Sequence, residues 1–227
     1  MSPEEIAETT ARILIETQAI QFNATKPYIF ASGLASPTYC NCRKLISFPR
    51  ARRKLMDMAV DVIERQVGYA GIDAVAGGET AGISYAAWIA ERLDLPMLYV
   101  RKKPKGYGMN ALIEGDLQPG QRVLLVEDLA TDGGSKMHFV GGLRQAGAKV
   151  AHAFVVFHYG IFPEAIAGLK KEGVDLHALA TWWDVLKETE KQKAYSASDL
   201  AEVRKFLEAP VAWSLAHGGG DGKKKEA

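Results

Sequence analysis

Cysteine is almost missing from this chain, which has only Cys40 and Cys42 in a Cys-x-Cys pair. Two thiols cannot complete a four-ligand zinc site, and no neighbouring histidine adds to them. A disulfide framework of the kind that holds small secreted domains is excluded as well. The pair is expected as two small side chains on one face of a strand. Excess charge of either sign is also lacking, the formal net charge being +1. No global field then draws in nucleic acid or an anionic membrane, so anion recognition has to be local. No stretch approaches the about 20 apolar residues of a membrane span. Met1 to Glu5 carry a proline and two acids where a secretory leader would be basic and then apolar. Together these absences predict a cytoplasmic protein with neither nucleic acid nor membrane as partner.

What is present is an ordinary globular composition: 227 residues, 48% hydrophobic and 24% charged. That supports one α/β domain with a sizeable core and at most a second small lobe. Ser2-Pro3-Glu4-Glu5 is an N-cap, a first-turn proline and a capping-box acid, so a helix opens there. Tyr28 to Ala31 and Thr38 to Cys42 read as two extended segments of one small hairpin, with turn chemistry at Ser32-Gly33 and Ser36-Pro37. A helix from Pro49 to Val67 follows.

From Ile72 onward strands and helices alternate. Strands are expected at 72–76, 96–100, 123–126, 150–157 and 176–180, and helices at 80–93, 135–146, 163–171, 182–190 and 197–207. Alternation of this kind implies βαβ units, a parallel sheet and right-handed crossovers, with ligands beyond the carboxyl ends of the strands. Gly218 to Ala227, with its glycine and lysine runs, reads as a disordered tail. Arg50, Arg52, Arg53 and Lys54 read as a solvated helix start. The five histidines show no metal-ligand spacing.

The most informative segment is Val123-Leu-Leu-Val-Glu127-Asp128-Leu129-Ala130-Thr131-Asp132-Gly133-Gly134-Ser135. A buried strand ends in two carboxylates, and a glycine loop then starts a helix. Gly133 and Gly134 let backbone N–H groups approach an anion, and the helix dipole and the hydroxyls of Thr131 and Ser135 add to that. The acids suit sugar hydroxyls and developing positive charge. A ligand with a phosphate at one end and a ribose at the other satisfies both. The loop has neither the Gly-Lys-Ser/Thr ending of a nucleotide P-loop nor a Gly-x-Gly-x-x-Gly pattern.

This segment resembles the signature of the type I phosphoribosyltransferases, which bind 5-phosphoribosyl 1-diphosphate (PRPP). Asp132 departs from the usual small neutral residue. Arg101-Lys102-Lys103-Pro104-Lys105-Gly106-Tyr107-Gly108 resembles the flexible catalytic loop of the orotate phosphoribosyltransferases, here within 102–115. The resemblance gives Arg101, Lys102 and Lys105 to the diphosphate, with Tyr107 where histidine is usual. Gly77-Gly78-Glu79-Thr80-Ala81-Gly82 looks like the loop whose amides hold the diphosphate, and it lacks the lysine that some members have in place of Ala81. Ala31 to Tyr39 resembles the base-binding hood, with Ser32 and Gly33 as contacts. Tyr159 stands near the position of an arginine that grips the orotate carboxylate in some members, and a phenol cannot make that bidentate pair.

The resemblance implies a type I phosphoribosyltransferase-like fold, a parallel sheet flanked by helices with a small N-terminal hood. It divides the chain into a helix and hood at 1–48, a PRPP-binding core at 49–217 and the tail. It implies transfer of the phosphoribosyl group of PRPP to orotate, with Mg2+, in a homodimer that shares the basic loop between subunits. Two alternatives stay open: a transferase for another nucleobase, and a non-catalytic PRPP-sensing regulator.

Overall fold

The computed structural model describes residues 1–104, 112–131, 134–192 and 195–222, with the side chains of Gly134 and Ser135 left aside. In chain order they form α1 (Pro3–Glu16), β1 (Ile20–Phe22), β2 (Tyr28–Ile29), β3 (Ala35–Ser36), β4 (Thr38–Cys40) and a 3-10 helix (Cys42–Ser47). Next come α2 (Pro49–Gln66), β5 (Ala74–Gly78), α3 (Ala81–Leu93), β6 (Met97–Val100), β7 (Ile113–Glu114), β8 (Arg122–Ala130) and α4 (Gly134–Gln145). The chain continues with β9 (Lys149–His158), α5 (Pro163–Lys171), β10 (Asp175–Thr181), α6 (Trp182–Gln192), α7 (Ala197–Glu208) and α8 (Pro210–Ala216).

Two compact units result. The first holds Met1 and Ile46–Leu179, the second Ser2–Leu45 and Ala180–Ala227. The C-terminal helices thus share a unit with the N-terminal segment.

In the first unit the strands lie in the order β10-β9-β8-β5-β6-β7. β5 pairs in parallel with β6 and β8, β8 in parallel with β9, and β7 antiparallel to β6. Val123 to Val126 are no more than 3% exposed, as a strand covered on both faces requires. Val123 and Leu125 pack with Phe139, Val140 and Leu143 of α4, while α3 packs against β5 and β8. Each such side chain contributes about 1.5–3 kcal/mol through burial. Arg52 is not simply solvated. It stacks over Trp88 at 4.4 Å and donates to the Ile46 carbonyl at 2.6 Å. At two strand ends the boundaries differ from the sequence expectation. β5 takes in Gly77 and Gly78, and β8 runs on through both acids to Ala130.

In the second unit the capping box of α1 forms as expected, with Ser2 N–H donating to Glu5 at 2.6 Å and Glu5 N–H to Ser2 Oγ at 3.2 Å. The single hairpin is corrected to two separate strand pairs: β2 with β3, and β1 with β4. Strands of two or three residues take their register from whatever packs on them, which local sequence does not specify. Cys40 lies in β4 but Cys42 opens the 3-10 helix. Both are buried, with their sulfurs 3.5 Å apart. Nor is the chain loose from Gly218, since Gly219 N–H donates to Ser214 O at 2.9 Å and Gly220 N–H to Gly33 O at 2.8 Å. Residues 223–227 lie outside the described residues.

Candidate functional site

The parallel register of the first unit gathers its chemistry at one edge of the sheet. Gly78 is opposite Val100, Gly77 opposite Val126, and Ala130 opposite His158. The residues that follow or end these strands are therefore neighbours: Glu79 after β5, Arg101 and Lys102 after β6, Glu127 and Asp128 within β8, and Tyr159 after β9. This is the carboxyl end of the sheet, where open α/β folds bind their ligands.

Glu127 and Asp128 are buried at 8% and 6% exposure. Both project from strand β8, and the Asp128 carboxylate accepts from Leu129 N–H at 2.9 Å. Tyr159 is buried, donates its N–H to Ala130 O at 2.9 Å and packs edge-on to Phe157. Two glycines make room for the Glu127 side chain. A β-carbon on Gly78 would collide with Glu127 Oε1, and one on Gly82 would stand 2.8 Å from the same atom.

The β5 and β6 ends are stitched together. Glu79 N–H donates to Val100 O at 2.8 Å, and the Glu79 carboxylate accepts from Lys102 N–H at 2.7 Å. His138 of α4 donates from Nε2 to Lys102 O at 3.1 Å. Arg101 is held 3.5 Å from Glu114 of β7. Backbone pairing thus places the two basic residues, and Lys103 beyond them is exposed. Thr80 precedes α3 as its N-cap residue without a side-chain cap bond.

Thr131 follows β8 and α4 begins at Gly134. The first turn of a twelve-residue helix thus starts at the edge that carries the acids, with the positive dipole end of any helix start. Ser135 lies in that turn. Asp132 and Gly133 lie outside the described residues, as do Lys105 and Tyr107.

Lys136 was not visible to the sequence reading. It is 3% exposed in the first turn of α4, and its ammonium donates to Leu129 O at 2.7 Å. A cation there opposes the helix dipole, an arrangement that a bound anion relieves. Burial, and then the Lys136 charge, hold His158 below the usual histidine range, so its imidazole stays neutral near pH 7. The signal for Lys136 was the lysine after Gly-Gly-Ser, indistinguishable in sequence from a surface lysine.

Ser32 and Gly33 are in the second unit, in the turn between β2 and β3. Gly33 has φ +83°, the left-handed region that favours glycine.

No protein-family model matches the chain. Among curated proteins it is 58% identical over 210 residues to an orotate phosphoribosyltransferase of Cereibacter sphaeroides, covering 92% of this chain and 90% of that one. It is 57% identical over 216 residues to an orotate phosphoribosyltransferase of Ruegeria sp., covering 95% and 96%. Among solved structures, the orotate phosphoribosyltransferase of Aeropyrum pernix superposes with a TM-score of 0.69 at 30% identity, covering 82% of this chain and 99% of that one.

Proposed function

Because the chain belongs to the orotate phosphoribosyltransferase family, we propose that the carboxyl end of its sheet carries the family reaction. In that reaction the 5-phosphoribosyl group of PRPP passes to orotate, giving orotidine 5′-monophosphate and diphosphate. The observation that carries the site assignment is the end of β8, where two buried carboxylates stand directly before the loop and first turn of α4.

Each residue's part follows from its chemistry. Thr131, Gly134 and Ser135, with Asp132 and Gly133 between them, receive the 5′-phosphate on the backbone amides of the helix start. Glu127 and Asp128, followed by Leu129 and Ala130, face the ribose. They accept from its hydroxyls and stabilise positive charge that grows on the ring as diphosphate leaves. At ~5 Å and an effective dielectric of ~20, one such pairing has a Coulomb term of about 3 kcal/mol, or about two decades of rate. Arg101, Lys102 and Lys105 neutralise the departing diphosphate, with Glu79, Thr80 and Tyr107 beside it. Ser32 and Gly33 recognise the base. No covalent nucleophile is required.

The donor set suits magnesium. The described residues contain no cluster of three or more histidine, cysteine or acidic ligands. Magnesium, however, characteristically uses one or two carboxylates plus substrate oxygens. Glu127 and Asp128 would hold it, and it would supply counter-charge to the diphosphate. We read the enzyme further as a cytoplasmic homodimer whose basic loop serves the neighbouring subunit. With only two cysteines the chain has no disulfide framework, which suits a reducing compartment. No helix among the described residues is long and apolar enough to cross a membrane.

A spectrophotometric assay tests the reading. Orotate absorbance should fall only when PRPP and magnesium are both present, and uracil and purines should give no turnover. Consumption of a purine in place of orotate would overturn the assignment of the base.

A further inference from the structure

The glycine run near the C-terminus has a partner within the second unit. Ser214 of α8 is fully buried, and its hydroxyl bonds in two directions. It accepts from Ala35 N–H at 2.8 Å and donates to Gly220 O at 2.6 Å. Gly220 N–H in turn donates to Gly33 O at 2.8 Å, and Gly219 N–H to Ser214 O at 2.9 Å. The other side of this ladder is the turn between β2 and β3, closed by Gly33 N–H to Phe30 O at 2.8 Å and Phe30 N–H to Leu34 O at 2.9 Å. Both flanks of the turn are thus tied to residues 214–220: Gly33 through its carbonyl and Ala35 through its amide.

Glycine is required at one of these positions by space alone. A β-carbon on Gly219 would collide with Ser214 Oγ and stand 2.5 Å from both the nitrogen and the β-carbon of Ala35. At Gly220 the nearest atom would be Gly33 O at 3.6 Å, an ordinary contact. Flexibility does not explain that difference, since a loose tail would tolerate a methyl group at either glycine.

We propose that residues 218–220 form a strap that sets the shape of the 30–35 turn, and through it the affinity for the pyrimidine substrate, with Ser214 as the positioning residue. The proposal deepens the function above, because it rests on the assignment of Ser32 and Gly33 to base binding. The strap touches no substrate itself. Its effect falls on the base, because the turn it holds carries Ser32 and Gly33 and no residue assigned to PRPP.

The test is steady-state kinetics on the full chain with Gly219→Ala, Gly220→Ala and Ser214→Ala. Gly219→Ala and Ser214→Ala should each raise KM for orotate about tenfold, the equivalent of a lost buried hydrogen bond. KM for PRPP should stay where it is, and Gly220→Ala should match the unaltered enzyme. Ser214→Ala removes both side-chain bonds without adding bulk, so it decides the matter if Gly219→Ala does not fold. Equal changes in both KM values, or none in a folded variant, would overturn the strap. If the unaltered enzyme uses a base other than orotate, the base assignment fails, yet the same split measured with that base still judges the strap.

Discussion

Gly78 lies against the Glu127 carboxylate with no room for a methyl group between them. A β-carbon there would collide with Oε1 and stand 2.6 Å from the Phe139 ring. The glycine is a strand residue, so its absent side chain makes the space in which a buried acid can sit at the end of β8. Gly78→Ala should destabilise the protein by about 1–3 kcal/mol through overpacking, read as a lower urea midpoint. It should also lower kcat by displacing Glu127. A variant with unchanged midpoint and unchanged rate would remove this packing argument.

Lys136 supports the same edge from α4. Replacing it with methionine keeps the apolar stem and removes the donor to Leu129 O, at a cost of about 1 kcal/mol for a partly buried hydrogen bond. Loss of the cation beside the helix start should also raise KM for PRPP. Denaturant titration and PRPP saturation curves check the two effects separately, and an unaltered PRPP curve would leave Lys136 a purely structural role.

How far the sequence carried depended on how local each signal is. Val123 to Val126 were legible as a buried strand because a continuous apolar run bounded by turn signals has few other uses. The two acids and the glycine loop were legible because their chemistry is contiguous. Strand β8 still runs past the 123–126 run and both acids to Ala130, since pairing with β9 continues through Leu129 and Ala130. The pairing of β1 with β4 was hidden, because Ile20–Phe22 and Thr38–Cys40 are brought together by tertiary packing. Helix α8 was hidden because seven residues ahead of a glycine run carry little periodic signal. The burial of Lys136 depends on how the start of α4 meets the end of β8, and the docking of Gly219 on contact with Ala35, distant in sequence.

Acid should weaken the first unit through His177. Burial, chiefly, and then the neighbouring His152 hold its imidazole below the usual range, while Asp175 pulls the other way. His152 Nδ1 lies 3.1 Å from His177 Nε2, and the other ring nitrogen of His177 bonds Gln66 of α2. In the unfolded chain the group titrates near the ordinary histidine value of about 6.5. Below that pH the unfolded state takes up a proton that the folded state refuses, so stability falls with pH until the folded value is passed. His158, lowered in the same direction, adds to the slope. Urea midpoints measured from pH 7.5 down to 5.5 should decline, and His177→Gln should flatten the decline. A profile for the unaltered protein that is level across this window contradicts the assignment.

The chemistry itself is most directly probed by removing charge without changing shape. Glu127→Gln and Asp128→Asn keep the volume of each buried side chain, and the asparagine retains an oxygen to accept from Leu129 N–H. Each should lower kcat by about two decades, the Coulomb term of one carboxylate against a cationic ring at an effective dielectric of ~20. KM for orotate should change little, because neither group is assigned to the base. The double variant should lose less than the product of the single losses, since the two acids act on one ring charge. Rates within threefold of the unaltered enzyme, in variants whose urea midpoints show them folded, would mean that ring charge is stabilised elsewhere. The end of β8 would then serve only to hold the helix start in place.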